Sequence, residues 1–147
     1  GGILAGSNDV REHALNHSRS WLLSGSQPPG VAAAQKAAIE VLMDEPEHVR
    51  RLWANTTYFK SELDSMGFDT GVSETPIIPV MCGDSKRAQD LASAMREEGV
   101  MVGAIVFPMV SREMARVRTQ MSAGISSEEL DTVLESFERC GRKSGLI

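Results

Sequence analysis

Between residues 75 and 137 the chain alternates three apolar runs too short to be helices with two amphipathic segments too long to be strands. The runs are TPIIPVMCG (75–83), VMVGAIVF (100–107) and ARVRTQMS (115–122), the first bounded by Pro and Gly and the second ended by Pro108. SKRAQDLASAMREEG (85–99) places Ala88, Leu91, Ala92 and Met95 on one helical face and stops at Gly99. Ser126 and Glu129 have the spacing of a capping box, and Leu130, Val133, Leu134 and Phe137 follow on one side of the helix it would open. An apolar stripe must be covered, so a strand, helix, strand, strand, helix order predicts a two-layer α/β (α+β) unit with a mostly antiparallel sheet and helices on one of its faces.

Upstream the pattern is helical. Asn8 is placed to cap a helix running to about Ser18, SGSQPPG (24–30) reads as a loop, and VAAAQKAAIEVLM (31–43) is an alanine-rich helix apolar on nearly every side. A helix without a polar face packs between elements or at an interface. Pro46 reopens a helix in which Val49, Leu52, Trp53, Thr56, Phe59, Leu63 and Met66 recur at three-and-four spacing until Gly67. The expected organisation is therefore 1–45, the end of a strand plus interface helices, and 46–147, a small α/β domain. The opening GGILAGS begins with glycine and reads as a strand already under way, the mark of a fragment.

Composition narrows the function. With 147 residues and 41% hydrophobic content the chain can bury a core without metals or disulfides. Two cysteines make no disulfide framework, and no run suits a signal peptide or a membrane span, so a reducing cytoplasmic location without a membrane partner is expected. A net charge of −5 with scattered Lys and Arg argues against a nucleic-acid partner. His13 and His17 share a helix face, but no third ligand accompanies them and no metal is expected. His48 near a helix start reads as solvated, and Cys82 and Cys140 read as small core residues.

As a strand, residues 115–122 send Arg116, Arg118, Gln120 and Ser122 to one face and Ala115, Val117, Thr119 and Met121 to the other. Two guanidiniums on one face fit a solvated edge strand guarded by charge, or an anion site.

The runs GFDTGVSETPIIPVMCGD, REEGVMVGAIVFP and ARVRTQMSA, followed by a helix and GRKSGLI, resemble the C-terminal region of the α-oxoamine synthases, acyltransferases of fold type I that depend on pyridoxal phosphate. The resemblance covers essentially the whole chain. Within the group RTQMSA is most similar to glycine C-acetyltransferase, also called 2-amino-3-ketobutyrate CoA ligase, with 8-amino-7-oxononanoate synthase and serine palmitoyltransferase as near relatives. Gly124, Ile125 and Ser126 stand where relatives commonly carry Ala-His-Thr, and MVSREM also departs from them.

The resemblance implies a cytoplasmic homodimer that condenses a glycine-like amino acid with an acyl-CoA, giving a 2-amino-3-keto acid or its decarboxylated product. It places the cofactor-bearing lysine in a segment ending at Gly1 and Gly2, so no catalytic residue is expected here. Lys36, Lys60, Lys86 and Lys143 are read as solvated helix or terminal residues, and the chain alone as inactive. Arg118 matches the arginine that holds the substrate carboxylate, and Arg116 is left as a structural charge. Ser24 and Ser26 match a loop that reaches the neighbouring subunit's cofactor phosphate, although by pattern alone Ser-Gly-Ser before Pro-Pro is a turn. Two other readings remain: the small domain of another fold type I aminotransferase, and a free-standing ligand-binding module without catalysis.

Overall fold

The computed structural model describes residues 3–147; the Gly1–Gly2 pair lies outside the described residues. The chain forms two compact units that meet in sequence at Pro46 and Glu47.

The first unit holds α1 (Asn8–His17), α2 (Arg19–Leu22) and α3 (Pro29–Asp44). Ser7 rather than Asn8 caps α1, its hydroxyl accepting from the Val10 amide at 3.4 Å. Residues 3–7 carry no strand, since no strand among the described residues of this unit is there to complete a ladder. Pro29 opens α3 where a missing N–H costs nothing. Neither α1 nor α3 buries any residue, and Ile39, Val41, Leu42 and Met43 are exposed.

The second unit contains α4 (Glu47–Met66), β1 (Ile77–Gly83), α5 (Ser85–Glu97), β2 (Gly103–Ile105), a 3₁₀ turn (Arg112–Met114), β3 (Ala115–Gln120) and α6 (Ser127–Ser144). The sheet order is β1-β3-β2 and both pairings are antiparallel. Ile78, Val80, Cys82, Ala115, Val117 and Thr119 are buried beneath α4, α5 and α6, while the alternate positions face away from the helices. This is the helices-on-one-face architecture expected from the alternation of runs.

Each helix end has a local cause. The Asp84 carboxylate accepts from the Arg87 amide at 2.9 Å to start α5. The Ser126–Glu129 capping box closes in both directions at 3.2 and 2.8 Å to start α6, and Gly145 ends that helix at φ 67°. Phe137 of α6 meets Phe59 of α4 edge-on at 6.0 Å and Phe68 at 5.9 Å.

Three further expectations need correction. The strand expected over 100–107 is only Gly103–Ile105, the three residues that pair with Arg118, Val117 and Arg116 of β3. The third strand stops at Gln120, where the Met121 amide turns to the Pro76 carbonyl at 2.9 Å. Lys60 is not simply solvated: its ammonium donates to Thr70 Oγ1 at 2.5 Å and pairs with Asp64 at 3.1 Å, while the Thr70 hydroxyl donates to the second Asp64 oxygen at 2.5 Å.

Two measurements check this packing. A Cβ on Gly141 would lie 2.8 Å from Phe68 Cε1 and 3.1 Å from Ile147. Gly to Ala in a helix normally gains about 0.5–1 kcal/mol, but overpacking costs about 1–3 kcal/mol, so Gly141→Ala should lower the urea midpoint. A higher midpoint would show that Phe68 gives way at no cost. Burial raises the Asp64 pKa, yet the hydrogen bonds from Thr70 and Lys60 and the Lys60 charge outweigh it, leaving the carboxyl below its ordinary value. A depressed folded pKa adds stability above the unfolded value of about 4 that is lost as pH falls through the folded one. Asp64→Asn should therefore flatten the acid limb of a stability–pH curve, and an unchanged limb would refute the bond network's contribution.

Candidate functional site

β3 is the central strand, so its arginines do not guard an edge. That removes the edge-strand explanation of the Arg-x-Arg pattern and leaves the question of what the guanidiniums meet. Strand alternation puts Val117 and Thr119 in the core and turns Arg116 and Arg118 to the face away from the helices.

The two arginines differ in their surroundings. Arg116 lies opposite Met81 on β1 and Ile105 on β2, is half-buried, and its Nε donates to the Met114 carbonyl at 3.0 Å. Arg118 lies opposite Pro79 on one side and Gly103 on the other. It is exposed and makes no ion pair or side-chain hydrogen bond among the described residues. A Cβ added at Gly103 would meet nothing within 4 Å, so the space beside Arg118 is open on that side. A planar fork with five donors and no internal acceptor is suited to a carboxylate or phosphate arriving from outside.

Arg118 and Gly103 also belong to the lining of a cleft of about 490 Å³, whose apolar walls include Phe59, Val102, Met121 and Ile125 and whose second cation is Arg96. Thr119, also in this lining, is fixed by its hydroxyl donating to the Ile78 carbonyl at 2.8 Å. An anion-binding group beside an apolar cleft can take a ligand with one charged end and one apolar part.

Ser24 and Ser26 lie in the first unit, in the connection between α2 and α3. The Ser24 hydroxyl donates to the Trp21 carbonyl at 3.4 Å, and Ser26 adopts φ 62°, a left-handed conformation uncommon outside glycine. Both line a cleft of about 860 Å³ with Trp21, Gln27 and Gln35. His13 and His17 stack at 4.3 Å, and among the described residues no three His, Cys, Asp or Glu side chains gather to hold a metal. Burial pushes both the Cys82 and Cys140 thiols up in pKa, away from nucleophile chemistry. No helix among the described residues is long and apolar enough to cross a membrane.

Residue patterns did not disclose Asn55, whose side-chain amide reaches the connection after β3. Its one local signal is an Asn inside an amphipathic helix, a position disfavoured unless the side chain is bonded.

Comparison with known proteins adds a family to this geometry. The sequence profile described as aminotransferase class I and II matches residues 1–137. The 8-amino-7-oxononanoate synthase of Symbiobacterium thermophilum is 49% identical over all 147 residues, which span 38% of that protein. The 8-amino-7-oxononanoate synthase/2-amino-3-ketobutyrate coenzyme A ligase of Thermus thermophilus is 42% identical, again over the whole chain and 37% of that protein. A serine palmitoyltransferase from S. paucimobilis with bound PLP superimposes with a TM-score of 0.84 at 29% identity, covering 92% of this chain and 35% of the other. The chain thus spans little more than a third of the length of the relatives it matches, and its fold is that of their C-terminal portion.

Proposed function

Since the chain belongs to the class I and II aminotransferase family, we propose that it serves as the C-terminal part of a pyridoxal-phosphate-dependent acyltransferase of the α-oxoamine synthase group, with Arg118 binding the carboxylate of its amino-acid substrate. The observation that carries this reading is the guanidinium of a central strand standing exposed and unpaired between Pro79 and Gly103. A strand interior normally places a charge on a solvated face and pairs it or leaves it crowded by cross-strand neighbours. Here one neighbour has no side chain and the other cannot reach across.

The donor set of the chain fits part of the cofactor. Ser24 and Ser26, with the backbone N–H groups of the connection through Gly25, are suited to a phosphate, and both residues border one open cleft. A Schiff-base amine must be desolvated and free of a competing carboxylate, and the lysines here are engaged or exposed: Lys36 pairs with Glu40, Lys60 with Asp64, Lys86 with Asp90, and Lys143 is exposed. The amine would therefore come from another part of the enzyme. When bound, the cofactor would supply the electron sink that stabilises a carbanion at the substrate's Cα.

The work of this chain is orientation. Two parallel charge-assisted bonds from Arg118 fix the carboxylate plane, and with it the direction of the bonds at Cα, in a way a single ammonium donor does not. Gly103 leaves room for the rest of the amino acid. Exposed apolar residues on α3 and at Trp21 support a homodimer in which the Ser24–Ser26 loop serves the partner's cofactor.

Two substrate pairs fit. The RTQMSA motif favours glycine with a short acyl-CoA, as in glycine C-acetyltransferase; the 49% identity to an 8-amino-7-oxononanoate synthase favours the chemistry of that enzyme. Product analysis with each amino acid and acyl-CoA separates them, and activity without any acyl-CoA would instead indicate an aminotransferase.

In the intact enzyme, removing one partner of a charged pair costs about 2–5 kcal/mol, so Arg118→Ala should raise the amino-acid KM by about two orders of magnitude with the cofactor absorbance retained. Arg116→Ala should do less, because its Nε serves the Met114 carbonyl. Equal losses, or a loss of folding alone in Arg118→Ala, would refute the assignment. Borohydride reduction of pyridoxal phosphate with this chain alone should leave none of its four lysines stoichiometrically labelled; stoichiometric labelling of one of them would place the amine within the chain.

A further inference from the structure

We propose that Asn55 is a positioning residue for the Arg118 site: its side chain sets the width of the cleft into which the substrate amino acid is drawn. The inference rests on the carboxylate reading of Arg118. The Asn55 amide nitrogen donates both of its hydrogens, one to the Ser122 carbonyl at 2.9 Å and one to the Ile125 carbonyl at 3.0 Å. Those carbonyls bracket the turn Ser122-Ala123-Gly124-Ile125, which follows β3 two residues after Gln120 and leads into the Ser126 cap of α6. Within the turn, the local bonds are the Gly124 amide to Ser122 Oγ at 3.1 Å and the Ile125 amide to the Ser122 carbonyl at 3.5 Å, the second at the limit of a useful hydrogen bond. The tie to α4 is thus the firm one.

Its effect reaches the site through two walls. Phe59, one helical turn beyond Asn55 on α4, lines the cleft from the helix side, and Met121 and Ile125, before and at the end of the clamped turn, line it from the sheet side. One helix therefore supplies one wall and holds the other at a fixed distance. Arg118 stands three residues before Met121 on the same run of backbone, so the clamp also anchors the C-terminal end of the strand that carries the guanidinium. Neither oxygen-only nor apolar side chains of the same size can perform this task, because what the two carbonyls require is a pair of N–H donors.

The test is kinetic and uses the intact enzyme. Asn55→Ala should raise the amino-acid KM roughly tenfold, the scale of one to two net hydrogen bonds, with kcat changed much less and the cofactor spectrum unaltered. Asn55→Asp, equal in size but without donors, should be at least as impaired, whereas Asn55→Gln, which keeps both donors, should recover most of the loss. Tyr58→Phe serves as the structural control. It cuts another tie of α4, from the Tyr58 hydroxyl to Asp131 at 2.5 Å, two residues that do not line the cleft, and should lower the thermal midpoint without moving KM. A normal KM in Asn55→Ala, a normal KM in Asn55→Asp, or a KM that rises in Tyr58→Phe as much as in Asn55→Ala would overturn the proposal. Arg118→Ala measured alongside separates the two ideas: a raised KM there beside a normal one in Asn55→Ala defeats the clamp alone, and a normal KM in Arg118→Ala defeats the carboxylate reading and the clamp together.

Discussion

A central strand that carries two arginines has one admissible register. Ala115, Val117 and Thr119 fill the space under three helices, and a slip by one residue would carry Arg116 and Arg118 into that space and Val117 out of it. A guanidinium in an apolar layer without a partner costs several kcal/mol, more than any single strand pair returns. The alternation therefore fixes β3, and β3 fixes the sheet, since β1 and β2 each pair with it and not with each other. The irregularity that remains, between Met81 and Gly83, falls at the end of β1 where Gly83 takes φ 79° and the chain turns into α5. The helices follow: their apolar stripes can be covered only on the face that β3 leaves uncharged.

Most of that logic was legible in the residues because it is local. Periods of two and of three to four, the Asp84 and Ser126 caps and the Gly145 stop each depend on neighbours within one turn of chain. The central place of β3 was not legible, for strand order is a matter of long-range pairing, and an Arg-x-Arg pattern suits an exposed edge as well as one open face in the middle of a sheet. β2 was overestimated for a related reason. VMVGAIVF is uniformly apolar, so composition supports a longer strand, while the actual ladder is limited to the residues that oppose Ile105's partner Arg116 through Arg118. Arg118 was singled out by motif, but Asn55 and the Lys60–Thr70–Asp64 network join residues whose pairing no periodicity records.

The two units present opposite cases of the same rule. The second buries fifteen hydrophobic residues in a single cluster, whereas the helices of the first expose Trp21, Ile39, Val41, Leu42 and Met43. Ala-rich surfaces allow close helix approach but contribute little when nothing approaches, so α3 draws its helicity from propensity and from Pro29 rather than from packing. Relatives more than twice as long contain additional chain against which such a surface could be covered.

The same economy shapes the site. An arginine can be held ready for an anion only if the protein itself offers no competing carboxylate, and if the backbone around it is stiff enough that the guanidinium does not bend away to find one. Pro79 and Gly103 satisfy the first condition by presenting no acceptor across either ladder. The second is met from the opposite layer, by the Thr119 hydroxyl on the Ile78 carbonyl one residue after Arg118 and by the Asn55 amide on the turn beyond. Rigidity is thus supplied from the helix layer behind the strand, while the guanidinium itself stands on the strand's open face.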